Sequence, residues 1–552
     1  MFSAAAIVIA AGAGIMPGGM AQAAGPSTDG VHGVTSSKDL RKAAANEFTF
    51  SSPADRSARQ TLPAARNKAA GAPQEGGATA GAELKVGLSG KGLTAHAIEL
   101  KSEITSNVAT PLTVVIAWGD GTTSTEYANG TEAKVSQHTY AEVGSYTVKV
   151  TVTDTAGGTS ATNELAVVTP GSEFTPHGPS RMLDTRDGTG AAQAAQVPAW
   201  GEARVKIAEN NGIPAGVTAV VLNLTVTNTK TAGHVRAYAD GTERPTTSNV
   251  NYAAGDSVPN LVIVPVGKNG YVNLYNHGGQ GVDLIADVTG YFTRSAANGY
   301  TPMDPVRFVD TREGLGTAKA MVPGRGQFGV QIAGTRGVPA GVKAVALNVT
   351  VTNPWNAGHL TVFPSGQITP NTSNVNFSSG QTIANSVIVP VGADGKIMVR
   401  NGSAAPADVI VDVVGYYSPQ SPSAYVPVRP TRDLDTREWG RGPLHGDGYI
   451  YSAYGPGDPA LTGMVLNTTV TNTKSAGHLK VFPDPNALWQ YENDTAIWPT
   501  PPNSSTLNWT AGKTVPNLVQ ASTGVNGIVD FWNRSGQDAD LVVDVFGYYD
   551  KG

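Results

Sequence analysis

Apolar and polar positions alternate along most of this chain with the period of a β-strand. In Leu222-Asn223-Leu224-Thr225-Val226-Thr227 every second side chain is apolar, so one set faces a core and the polar set faces solvent or a sheet neighbour. From 145 to 154 the same period places Tyr146, Val148, Val150 and Val152 on one side and Thr147, Lys149, Thr151 and Thr153 on the other. Between 174 and 292, β-rich runs fall at 204–207, 219–227, 235–238, 249–252, 261–265, 271–275 and 282–288, separated by glycine-containing turns. Gly267-Lys268-Asn269-Gly270 is a hairpin signal, and Gly392-Ala393-Asp394-Gly395 matches it. Seven short strands in about 120 residues predict a β-sandwich or jelly roll rather than a parallel α/β sheet.

The pattern is written three times. Val220 to Asn228 recurs at 345–353 and, with one more substitution, at 465–472. Each copy opens on aromatic-x-Pro (Phe174, Tyr300, Tyr425) and then Asp-Thr-Arg (184–186, 310–312, 435–437). Each places Gly-His after the shared strand and closes on Asp-x-x-Gly-Tyr-aromatic (287–292, 412–417, 544–549). A period of about 125 residues is far longer than a solenoid turn, so each copy reads as a domain. The expected units are 174–292, 300–417 and 425–549, self-sufficient and joined by short linkers. Together with the 83–169 segment they predict an all-β chain of tandem β-sandwich modules.

The N-terminus adds a location. Residues 4–15 form an apolar run too short to span a bilayer, and Ala21-Gln22-Ala23 supplies a small-x-small cleavage pattern, so 1–23 reads as a secretory signal peptide. The stretch 24–82 is rich in Ala, Gly, Ser and Pro and reads as a disordered linker, with a short helix available around Lys38 to Phe48. With no cysteine in 552 residues, an exported chain of this kind holds together by packing alone. A net charge of -5, with no Lys/Arg cluster among aromatics, argues against a nucleic-acid partner. No second long apolar segment predicts a membrane span in the mature protein.

Two resemblances sharpen the organisation. Trp118-Gly119-Asp120-Gly121-Thr122, His138-Thr139-Tyr140, Val143-Gly144-Ser145-Tyr146-Thr147-Val148 and Val152-Thr153-Asp154 resemble the PKD module, an immunoglobulin-like sandwich, over 83–169. Such modules serve as spacers or contact domains, and the resemblance implies no chemistry. Asp120 between two glycines is expected to form the turn rather than hold calcium. The three large repeats resemble repeated domains of secreted actinobacterial proteins, which implies location and fold but no activity.

The candidate binding residues are the repeated charges and the aromatics of the third copy. Arg181, Asp184 and Arg186, with their counterparts Arg307, Asp310, Arg312 and Arg432, Asp435, Arg437, form a carboxylate between two guanidiniums. That set either fixes a loop or, if open, binds glycan hydroxyls or carboxylates. Between Pro483 and Ser504 the third copy carries extra residues including Trp489, Tyr491 and Trp498, and Trp532 replaces Tyr275 and Arg400 of the other copies. Aromatics on an inserted loop are candidate recognition surface. One repeated His per copy (His234, His359, His478) falls short of a metal site. Asn223-Leu224-Thr225 fits a glycosylation pattern, but its place in a core strand makes that incidental. No nucleophile elbow, zinc motif or phosphate loop is present, and Asp283 and Asp287 share one strand, a poor geometry for glycoside hydrolysis, which needs carboxyls ~5 to 10 Å apart across a cleft. The expected protein is therefore secreted, non-catalytic and free of cofactors. Its expected partner is a cell-envelope or environmental polysaccharide, bound through three weak sites acting together; a cell-surface protein partner is the alternative, and an exported hydrolase the third.

Overall fold

The structure, a computed structural model, describes residues 36–62, 83–107, 110–438 and 442–552. The expected signal peptide lies outside the described residues, as do 24–35 and 63–82 of the expected linker. The remainder of that linker is built into the fold. Ser37–Glu47 is a helix, Thr49–Ser52 pairs with Leu84–Gly92, and Ala58–Thr61 pairs with Thr159–Val168. Composition misled here because few apolar residues, among them Leu40 and Phe48, suffice when a neighbouring core receives them.

Residues 83–169 form two antiparallel sheets, whose inward-facing alternate residues include Val114, Ile116, Val148, Val150 and Val152 around Trp118 and Tyr140. Glycine 119 has a φ of 91°, and a Cβ there would lie 2.7 Å from the Thr147 carbonyl oxygen, so only glycine fits this turn.

Each large repeat contains eight strands in two four-stranded antiparallel sheets. In the first repeat one sheet runs Glu173–Asp184, Asp283–Thr293, Val217–Thr227, Val258–Pro265, and the other Glu202–Lys206, Tyr271–Gly278, Gly233–Ala239, Val250–Tyr252. Numbered within the repeat, the orders are 1-8-3-6 and 2-7-4-5, the jelly-roll arrangement, and the second and third repeats reproduce them. Val220, Leu222, Leu224 and Val226 fill the space between the two sheets.

The other face of the 1-8-3-6 sheet is also apolar, and it closes the three repeats on one another. Ala219, Val221, Leu261 and Ile263 of the first repeat join Ala344, Ala346 and Ile388 of the second and Val465 and Leu518 of the third in one shared core. The motif aromatics interleave cyclically around it. Phe174 meets Tyr417 at 4.3 Å, Tyr300 meets Tyr549 at 4.1 Å, and Tyr425 meets Phe292 at 4.6 Å between ring centroids. Backbone bonds repeat the cycle: Phe174 N–H donates to Asn298, Tyr300 to Ser423, and Tyr425 to Ser172, at 2.8 to 2.9 Å. The three repeats thus form a ring with quasi-threefold contacts inside one chain. This corrects the expectation of self-sufficient modules on linkers: strands buried on both faces cannot stand alone in water.

The PKD-like unit is fastened to the ring. Arg41 on the helix bonds Asp458 at 2.6 Å and Asp550 at 2.9 Å, both on the third repeat, while Leu40 enters that repeat's core. Arg294 of the first repeat donates to the Thr169 carbonyl at 3.0 Å and lies over the Phe48 ring.

Candidate functional site

Asp-Thr-Arg ends the first strand of each repeat, where the chain leaves the sheet. Asp184 is buried and accepts from Arg186 at 2.8 and 2.6 Å and from Arg181 at 3.0 Å. Arg181 also grips Asp287, the first residue of the closing motif, at 2.9 and 3.2 Å. The second repeat shows the same knot of Arg307, Asp310, Arg312 and Asp412, and the third that of Arg432, Asp435, Arg437 and Asp544. The bonds from Arg186 hold the Asp184 carboxyl below the usual range, whereas burial pushes Asp287 up against the pull of Arg181. Four charges so arranged occupy one another and tie the opening strand to the closing strand. Arg181 reaches further, donating to the Asn371 carbonyl of the second repeat at 2.9 Å.

The repeated histidines are half-buried. His234 stacks on His277 at 4.4 Å and faces Arg236, and burial lowers its pKa to about 4, so it is neutral. No group of three metal-ligating side chains occurs among the described residues. Asp120 closes its turn by accepting from Thr122, with His138 2.7 Å from its other oxygen; burial acts upward on it, but these partners carry its pKa down to about 2.

The insertion of the third repeat divides into an interior and an exterior. Tyr491 and Trp532 are buried: Tyr491 stacks on Tyr451 at 4.1 Å, and Trp532 stacks on Tyr449 at 4.7 Å. Trp498 stands edge-on to both Tyr449 and Trp532 and is 40% exposed, while Trp489, on the short helix Leu488–Glu492, is 59% exposed. Two buried acids lie beneath. Asp484 accepts from the Tyr491 hydroxyl and from Asn486, and the Asp530 carboxyl lies beside its own. Asp530 Oδ1 is buried with no hydrogen-bond partner. Burial, and then Asp484, push Asp530 well above the ordinary carboxylate range. Facing acceptors need a proton between them.

Sequence reasoning missed the role of the shared Asn. Asn223 donates to the Ser373 carbonyl at 2.5 Å, Asn348 to that of Ser505, and Asn467 to that of Ser248 at 2.7 Å, each reaching the next repeat in the cycle. The signal was present, since Asn at the same point of a buried strand in three copies, with Ser-Asn-Val-Asn or its counterpart recurring downstream, is a polar pair seeking partners.

Comparison with known proteins places one part of the chain. Residues 94–169 match the PKD domain family. No curated protein matches the chain. Among solved structures, a SusE-like protein is similar over 38% of this chain and 96% of its own, at 11% identity and a TM-score of 0.12. A triple jelly roll structure from an archaeal virus is similar over 74% of this chain and 90% of its own, at 9% identity and a TM-score of 0.15. Sulfolobus turreted icosahedral virus gives the same coverages and identity with a TM-score of 0.14. Scores this low carry no argument.

Proposed function

We propose that this is an exported, non-catalytic protein that contacts a surface polysaccharide, with the third repeat's insertion as its aromatic contact face. The observation that carries the reading is the pair of exposed indoles, Trp489 and Trp498, the second braced edge-on against the Tyr449–Trp532 stack. A braced ring offers contact area at small entropic cost, which suits the C–H faces of sugar rings. The Arg–Asp knots support the fold in this reading rather than the ligand, because Asp184 is already shared between two guanidiniums and Asp287 is held by Arg181. Their mutual occupation also leaves no free acid/base pair at these positions.

The test is retention of the whole chain on insoluble cell-wall polysaccharides. Wild-type protein is retained, and Trp489→Ala with Trp498→Ala weakens retention by about tenfold or more. Unchanged retention of the double variant removes the aromatic face from the account, and capture of a protein with no retention on polysaccharide favours the adhesive alternative.

A further inference from the structure

Ring closure creates a cavity that no single repeat contains. It measures about 810 Å³ and is walled by all three repeats where their 1-8-3-6 sheets meet at one end of the ring. Half-buried Val258, Ile383 and Val515, one from each repeat at equivalent positions, line it. Their immediate neighbours Ser257, Thr382 and Thr514 place three hydroxyls around them. Asn251, Asn376 and Asn508 add an amide from each repeat, and Asn376 bonds Ser257 across the junction of the first two at 3.2 Å.

Charge on the wall is balanced. Lys513 lies 3.6 Å from Asp256, Arg186 is held by Asp184, and Arg181 by Asp184 and Asp287 behind the wall. Asp256 is the one carboxylate among the lining residues, so the wall holds no acid/base pair. His359 has its pKa lowered by burial and adds no charge. Thr372 Oγ1, nine-tenths buried on the wall, has no hydrogen-bond partner. A few residues beyond Val258 and Val515 the same strands reach Leu261 and Leu518 of the shared core, as the strand of Ile383 reaches Ile388. The shared core therefore floors the cavity, and a chain reaches that floor by its end.

From this geometry we propose that the cavity binds the terminal unit of a neutral, hydroxyl-rich chain, a saccharide end. The proposal rests on the polysaccharide reading above and adds a second site distinct from the aromatic insertion. Three aliphatic side chains accept the C–H face of one sugar ring, and the surrounding hydroxyls and amides both donate and accept toward its hydroxyls. A balanced wall selects against ionic ligands, because no unpaired charge is available to offset their desolvation.

The experiment is calorimetric titration of the whole chain with neutral linear oligosaccharides, α-glucan, β-glucan and chitin oligomers, beside β-cyclodextrin, a closed α-glucan without ends. At least one linear oligomer binds, and the cyclic sugar does not. Thr514→Trp, on the exposed rim, weakens that binding by at least about tenfold, and Gln381→Trp repeats the result if the first variant melts below wild type. Tyr127→Ala, exposed on the PKD-like unit and outside both sites, leaves it unchanged. Binding of none of the linear sugars, equal binding of the cyclic one, or full affinity in both rim variants overturns the proposal. Retention of wild type on cell-wall polysaccharide with no binding of any linear oligomer overturns the cavity alone and leaves the broader reading standing; neither retention nor oligomer binding by wild type overturns both.

Discussion

Asp530 of the third repeat stands where the first repeat has Asn273, and Asp484 where it has Asp240. In the first repeat the Asn273 amide donates to Asp240 at 2.8 Å, whereas a carboxyl in that place can donate only when protonated. Tyr449, Tyr451 and Tyr491 face the acid pair, with Glu492 nearby. Because the folded-state pKa of Asp530 is raised, its contribution is fully present below the unfolded carboxylate value of about 4 and is lost as pH rises through the folded value. Melting followed by tryptophan fluorescence should therefore show stability falling as pH rises above the ordinary carboxylate range, and Asp530→Asn should flatten that fall. A wild-type profile without that fall would contradict the shared proton. The charged knots give a second contrast. Arg181→Ala strands the buried Asp287 and should cost about 3 to 5 kcal/mol in denaturant unfolding. Arg186→Ala removes a half-exposed partner and should cost under about 1 kcal/mol. The Arg-x-x-Asp-Thr-Arg spacing announced two guanidiniums around one carboxylate. Asp287 stayed hidden, because it opens another motif about a hundred residues later and only strand pairing brings it to Arg181.

At the scale of elements, strands were legible and their attachments were not. Period-two alternation marks the strands of 83–169 and of each repeat, since alternation is a local property of the chain. The helix Ser37–Glu47 is different: Arg41 anchors it to Asp458 and Asp550, more than four hundred residues away, and Leu40 joins the core of the third repeat. Arg41→Ala leaves Asp550 buried without its guanidinium, so the helix should loosen from the third repeat. Hydrogen exchange of the amides from Ser37 to Glu47 should then speed up by at least about tenfold while those of the ring stay protected. Equal protection in the variant would show that the helix holds without this ion pair. The insertion behaves likewise, Tyr491 anchoring it in the repeat while Tyr449 and Trp532 of the sheet brace Trp498, and a list of aromatic residues cannot separate anchors from contacts.

At the scale of the molecule, the ring was written in the central strand. Val217–Thr227 is buried along nearly its whole length, and the apolar residues of 219–222 leave no polar face. Alternation over 222–227 suggested a strand with one wet side, because the residues that cover Ala219 and Val221 belong to other copies. Tyr549 lies at the centre of that contact, so Tyr549→Ala should cost about 3 to 5 kcal/mol and lower one cooperative transition of the entire ring. Three separate calorimetric transitions for the ring would show that the repeats do not depend on each other. Residues 174–292 expressed alone should self-associate or precipitate, for they expose Val221, Leu261 and Ile263. A free subunit at high dilution leaves its companions by mass action. Three copies threaded on one polypeptide have no such escape, so the assembly should survive in an open environment at concentrations where separate chains drift apart. The copies are also free to differ, and a single one can carry the added loop while its sisters stay plain.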